Sequence, residues 1–148
     1  ATAHDRAKDA LGELRSIARG IHPPALDVGL EAALETLTAR SAIPATLHVA
    51  LDSRPTDAIG TIAYYAVAEL LTNVAKHADA VGAAVEVTED AGVLIVTVTD
   101  DGHGGADPAR GTGLNGLAAR LDAVDGSLLV DSPEGGPTVV TVHVPVRI

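Results

Sequence analysis

Within Ala68-Glu69-Leu70-Leu71-Thr72-Asn73-Val74-Ala75-Lys76-His77-Ala78, a carboxylate, an amide, an ammonium and an imidazole follow one another at spacings of four, three and one. On a helix turning about 100° per residue, Glu69, Asn73, Lys76 and His77 share one arc. That arc borders a second, apolar one made of Ala63, Val67, Leu70, Leu71 and Val74, which must face the core. Asparagine is a mediocre helix former, but its carbonyl oxygen can ligate Mg²⁺ without adding charge. Two glycine turns follow, Asp100-Asp101-Gly102-His103-Gly104 and Gly111-Thr112-Gly113-Leu114-Asn115-Gly116. The first closes a strand whose Leu94, Val96, Val98 and Asp100 share one face, so Asp100 falls at the mouth of the covered side. There it can accept a hydrogen bond from an exocyclic amine such as that of adenine, while Gly102 and Gly104 let the backbone approach a flat ring. The second turn opens a helix whose free amides suit phosphate. A base edge, a metal and phosphates together are what an ATP site requires.

Each motif has an ordinary counterpart. A Glu–Lys pair on a helix is commonly a solvated face, and Asp-Gly loops are common turns. The second glycine turn also matches G-x-G-x-x-G, with Asp131 near the end of the next strand, which is the dinucleotide-binding fingerprint. That fingerprint needs a buried parallel strand running directly into the first glycine. Gly104-Gly105-Ala106-Asp107-Pro108-Ala109-Arg110 cannot be one. The six histidines are scattered without zinc-ligand spacing, and no nucleophile elbow anchors a hydrolase triad.

Composition narrows the classes further. With 148 residues, 47% of them hydrophobic, the chain is long enough for one domain with a single core. Phe, Trp, Met and Cys are absent, so the core must be Val, Leu, Ile and Ala, and thiolate chemistry is excluded. A net charge of −10 argues against nucleic acid as partner and means that an anionic ligand needs a cation and helix dipoles to offset repulsion. No uninterrupted apolar run approaches the ~20 residues of a membrane span. The chain opens at Ala1 inside a helical pattern, which leads us to expect a piece of a longer protein.

Periodicity sets out the elements that must position these groups. Ala3 to Ile21 reads as a helix with Leu11, Leu14, Ala18 and Ile21 on one side, ended by Gly20 and Pro23-Pro24. A second helix spans Asp27 to Ala42 with Leu30, Ala33, Leu34 and Leu37 inward. Ala45 to Leu51 alternates as a strand. The long helix runs to about His77, with Asp57 as its expected cap. Strands at Val81–Thr88 and Val93–Asp100 flank a hairpin turn at Glu89-Asp90-Ala91-Gly92. After a loop over 101–112 come a helix from about Gly113 to Val124 and strands Ser127–Asp131 and Thr138–Val144. The expected fold is α+β, a two-layer α/β sandwich with a mixed sheet of about five strands and helices on one face.

In this order, the motifs resemble the ATP-binding module of the GHKL superfamily, which joins gyrase, the heat-shock chaperone, histidine kinases and mismatch-repair proteins. Glu69 to His77 is similar to its N box, Asp100 to Gly104 to its first glycine box, and Gly111 to Gly116 to its second. The closer resemblance is to sensor histidine kinases of the nitrate-sensor type. It is carried by Leu14-Arg15, Ile21-His22-Pro23-Pro24-Ala25-Leu26, Gly29-Leu30 and Ala33-Leu34, by Glu69 to Ala78, by the short interval between glycine boxes, and by Ser132-Pro133-Glu134-Gly135-Gly136-Pro137-Thr138. The pattern is departed from at Gly105, where an apolar aromatic is usual, at Tyr65, where Arg is common, and at Pro137.

The resemblance implies a Bergerat-type fold, with residues 25–148 as the catalytic ATP-binding domain. Residues 1–24 would be the last helix of the dimerisation and phosphoacceptor region. It implies ATP and Mg²⁺ as cofactors, with Asn73 on the metal, Asp100 on the adenine amine, and Gly102 and Gly104 shaping the adenine pocket. Lys76 and His77 would lie toward the nucleotide, and Gly111, Thr112, Gly113 and Leu114 at the phosphate end. Glu69 is the candidate catalytic residue, its counterpart acting as the base that activates water in the ATPase branches. His4-Asp5 mimics the phosphoacceptor pair, but too few residues separate it from His22 for a helix hairpin, so the acceptor histidine is expected elsewhere. The implied function is a histidine protein kinase with a response regulator as partner, dimeric when full length. Its kinase domain would be cytoplasmic, within a parent that is membrane-anchored or soluble. The alternatives are a serine kinase of the anti-sigma type on the same fold, and a non-catalytic interaction module.

Overall fold

The computed structural model describes residues 24–77, 80–102 and 112–146; the helix expected at 3–21 lies outside them. A 3-10 turn at Pro24–Asp27 leads into helix α1 (Leu30–Ala39), strand β1 (Ala45–Ala50), the long helix α2 (Asp57–His77), and strands β2 (Ala83–Asp90) and β3 (Val93–Asp100). Helix α3 (Thr112–Asp122) and strands β4 (Ser127–Asp131) and β5 (Thr138–Pro145) complete the described chain. One five-stranded sheet forms in the order β1-β2-β3-β5-β4. β1 and β2 are parallel, and the other neighbouring pairs are antiparallel. This is the expected mixed sheet with its helices on one face.

The strand alternation explains which face is covered. Ala83, Val85 and Val87 of β2, Leu94, Val96 and Val98 of β3, and Val140, Val142 and Val144 of β5 are all buried. Pairing aligns them in rows across the sheet. One row runs Val49-Val87-Val96-Val142-Leu128 and the next Leu47-Val85-Val98-Val140-Val130. The row after that is Ala45-Ala83-Asp100-Thr138. Ile59, Ala63, Ala66, Val67, Leu70, Leu71 and Val74 of α2 close over the apolar rows, with Leu30, Ala33 and Leu34 of α1 and Leu114, Leu117 and Leu121 of α3. The other sheet face carries His48, Glu86, Thr97 and Thr141 in one row. By length and mean hydropathy α2 would pass for a membrane span, yet half of that stretch is buried inside the domain.

Several boundaries differ from the sequence reading, each for a local reason. α1 starts at Leu30 rather than Asp27, because Asp27 belongs to the 3-10 turn and Gly29 follows at φ 143°. It ends at Ala39 rather than Ala42, and the Arg40 amide donates back to the carbonyls of Thr36 and Leu37. The cap of α2 is Thr56, not Asp57. Its Oγ1 accepts from the Ile59 amide at 3.3 Å and its carbonyl from Gly60 at 2.8 Å. Asp57 is instead the first helical residue, where its charge meets the positive helix end. β2 begins at Ala83 and not Val81, whose side chain is 79% exposed. Alternation alone does not say where a ladder starts; pairing with β1 and β3 does.

Among the described residues, two turns carry a non-glycine residue at positive φ. The β2–β3 hairpin closes through Ala91 at φ 51° and Gly92 at φ 80°. After α3 the chain turns through Asp125 at φ 59°, with its amide bonded to the Asp122 carbonyl and the Gly126 amide to the Leu121 carbonyl at 2.7 Å. This double closure is a Schellman motif, with Val124 as its cap residue. Here glycine is required by space, since a Cβ on Gly126 would stand 2.8 Å from the His143 carbonyl of β5.

Replacing Ala91 with Asn should stabilise the domain by ~0.5–1 kcal/mol in urea unfolding, because alanine strains in the left-handed region and Asn-Gly is the favoured hairpin pair. Gly126→Ala should destabilise it by ~1–3 kcal/mol, since a backbone carbonyl must shift to admit the methyl.

Candidate functional site

The site begins where the apolar rows of the sheet give out. Asp100 ends β3 on the covered face and is 5% exposed, and Thr138, its pairing partner on β5, is 7% exposed. Among the described residues these two are the buried polar side chains. Burying a carboxylate without partners would be costly. The chain offsets this by turning back, so that the Gly102 amide donates to Asp100 Oδ1 at 2.8 Å. A carboxylate has about four acceptor positions, so Asp100 keeps capacity for a further donor. The Thr138 hydroxyl lies 2.6 Å from that of Ser132, fixing the start of β5 to the turn before it. Among the described residues no fully buried side-chain nitrogen or oxygen lacks a partner.

α2 brings the second set of groups to the same end of the sheet. Its last residue, His77, is followed within a few residues by Ala83, which pairs directly with Asp100. The buried Val67, Leu70, Leu71 and Val74 fix the rotation of the helix. Glu69 and Asn73 are then half-buried along the border of the core, one turn or ~6 Å apart along the axis. Lys76 is exposed beyond them. The structure thus brings Asn73, Lys76 and the end of α2 to the Asp100 end of the domain, with Glu69 a turn further along.

The second glycine turn is described only from its helical part. Gly104 and Gly111 lie outside the described residues, and α3 begins at Thr112, one residue earlier than expected. Leu114 is 7% exposed and packs into the core with Leu117 and Leu121. Its side chain anchors the helix, so only its backbone can serve a ligand. The first-turn amides at Thr112, Gly113 and Leu114 are unpaired within the helix by geometry. β3, the strand preceding this helix, is antiparallel to both its neighbours and ends well before Gly111. The dinucleotide-type strand–glycine junction is therefore excluded.

Two residues of this region escaped the sequence reading. Thr138 carried the same signal as Asp100, a polar residue in phase with buried valines, Val140, Val142 and Val144. Asp101 carried none. It is exposed, and its Oδ1 accepts hydrogen bonds from the amides of Val81 at 2.9 Å and Gly82 at 3.1 Å. Those partners precede it by about twenty residues, so local pattern could not reveal them. A wide hollow of about 650 Å³ between the start of α1 and the far end of β1, lined by Glu31, Leu51, Arg54 and Pro55 among others, holds none of these groups.

Residues 60–148 match the family described as histidine kinase-, DNA gyrase B-, and HSP90-like ATPase. The chain belongs to that family. It is 33% identical over 146 residues to the sensor histidine kinase YxjM of Bacillus subtilis, and 32% identical over 154 residues to the sensor histidine kinase MctS of Rhizobium johnstonii. These alignments cover 94% and 93% of the chain but only 36% and 33% of the relatives. The chain therefore spans about a third of their length. Among solved structures, it matches the blue-light activated histidine kinase EL346 of Erythrobacter litoralis with a TM-score of 0.68 at 19% identity, over 96% of this chain and 54% of that one. Full-length ShkA in complex with AMPPNP matches with a TM-score of 0.64 at 19% identity, over 95% of this chain and 36% of that one. At such identities the likeness is one of fold.

Proposed function

We propose that residues 25–148 form the catalytic domain of a sensor histidine kinase, holding ATP with Mg²⁺ and presenting the γ-phosphate to a histidine. Residues 1–24 would continue the dimerisation and phosphoacceptor region. The observation that carries this reading is the buried carboxylate of Asp100, held by the Gly102 amide where the valine rows end. A buried acceptor at the edge of an otherwise apolar floor suits a flat heterocycle with one amine to offer. Thr138 stands beside it in register as a second polar contact for the same edge. The names of the relatives, all sensor histidine kinases, support the same assignment.

On this reading the remaining groups would follow one another along the length of a nucleotide. Gly102 and Gly104 would border the ring, while Asn73, with Lys76 and His77 nearby, would meet the phosphates. The amides of Gly111, Thr112, Gly113 and Leu114 at the start of α3 would supply positive potential that a chain of net charge −10 otherwise lacks. No cluster of three His, Asp or Glu residues that could hold a metal occurs among the described residues. A metal here would therefore rest on the Asn73 oxygen together with phosphate oxygens and water, a mixed set that suits Mg²⁺. When bound, Mg²⁺ supplies charge neutralisation for in-line phosphoryl transfer. Glu69, one turn from Asn73 and half-buried, is the candidate catalytic base. The wider assignment includes a response regulator as downstream partner, a dimeric parent and a cytoplasmic position for this domain.

Calorimetric titration with a non-hydrolysable ATP analogue and Mg²⁺ should show binding, and Asp100→Asn should lower affinity at least about tenfold, because a buried acceptor becomes a mismatched amide. Absence of binding at millimolar nucleotide, or equal binding by the variant, would sink the reading. Asn73→Ala should erase most of the affinity difference between titrations with and without Mg²⁺. With radiolabelled ATP the 148-residue chain should not label itself; acid-labile label mapped to His4 would refute the placement of the acceptor elsewhere. Acid-stable label would redirect the assignment to a serine kinase.

A further inference from the structure

Three segments meet beside the Asp100 row: the end of the loop before β1, the residues joining α2 to β2, and the turn leaving β3. The Ala83 amide donates to the Pro44 carbonyl at 2.9 Å, and the Asp101 amide to the Gly82 carbonyl at 3.4 Å. Asp101 Oδ1 then takes both the Val81 and the Gly82 amides. One oxygen thus holds two consecutive backbone donors belonging to the other side of the site. An exposed carboxylate is solvated well enough to need no such partners, so the contact is not a remedy for burial. What it does is geometric. Asp100, which immediately precedes Asp101, ends the β3 side; Asn73 and Lys76 belong to the helix that ends at His77, shortly before Val81 and Gly82 in the chain. Among the described residues no other side-chain hydrogen bond joins the β3 turn to this connection.

We infer that Asp101 is a positioning residue, whose carboxylate sets the separation between the Asp100 end of the site and the phosphate-facing end of α2 by clamping the Val81–Gly82 backbone. This rests on the nucleotide reading above. A ligand that bridges two anchors binds best when their separation is already set, because otherwise the binding free energy must order them. Charge-assisted bonds from a carboxylate to backbone amides are the strong kind, and here two share one acceptor. The clamp matters to a ligand that touches both anchors and hardly at all to one that touches only the Asp100 side.

That contrast provides the test. In the 148-residue chain, Asp101→Ala should weaken binding of an ATP analogue with Mg²⁺ by about tenfold while changing adenosine binding, followed by NMR titration, by less than about twofold. Asp101→Asn, which retains an acceptor oxygen, should restore the ATP analogue to within about threefold. Amide exchange at Val81 and Gly82 should accelerate in the Ala variant and remain slow in the Asn variant. Unchanged binding of both ligands by Asp101→Ala, or loss of both in equal proportion, would overturn the positioning role while leaving the nucleotide reading intact. Failure of the unaltered chain to bind the ATP analogue would overturn the nucleotide reading, and the positioning role with it.

Discussion

A carboxylate survives burial at the end of β3 because the chain reverses at once and offers it an amide. The Asp100–Gly102 contact is the constraint from which the rest of the site follows. Gly102 is itself buried, which requires the turn to stay tight against the domain. With Asp100 fixed there, the row Ala45-Ala83-Asp100-Thr138 becomes a polar interval bordered by two small residues. The valine rows below it keep water from the carboxylate's flank, and low local dielectric strengthens whatever hydrogen bond it accepts.

α2 meets two demands with one helix. Its apolar arc of Ile59, Ala63, Val67, Leu70 and Val74 is essentially inaccessible and locks the helix to the sheet. Only because that arc is locked are Glu69 and Asn73 held in one direction along the border of the core. The same economy is visible in α3, where Leu114 is buried within the first turn and so aims the helix start. In both helices a hydrophobic contact one or two residues away positions a polar group, so packing and function are not separable there. The absence of Phe, Trp and Met makes this possible at close quarters, since Val, Ala and Leu allow helices to sit near the sheet.

Membership of a family that unites kinases, gyrases and chaperones leaves the reaction to be decided by the groups around the phosphates. On the proposed reading, Asn73 and Lys76 of α2 and the backbone amides at the start of α3 would be among those groups. On that reading, helix amides and a metal would share the electrostatic task.

Much of the site was legible in sequence because its signals are periodic. Asp100 in phase with Leu94, Val96 and Val98, and Glu69 and Asn73 beside an apolar helical arc, follow from counting by two and by three or four. The strand set, the hairpin at Ala91-Gly92 and the helical faces were determined in the same way. Tertiary structure alone decided what depends on pairing across distance: that β2 starts at Ala83 and leaves Val81 exposed, that β5 inserts between β3 and β4, and that Asp101 grips Val81 and Gly82. Short-range propensity also misplaced the helix cap, since Thr56 and Asp57 are both good caps and only the backbone path into α2 chooses between them. Periodicity tells a residue which way to face; only the folded chain tells it whom it meets.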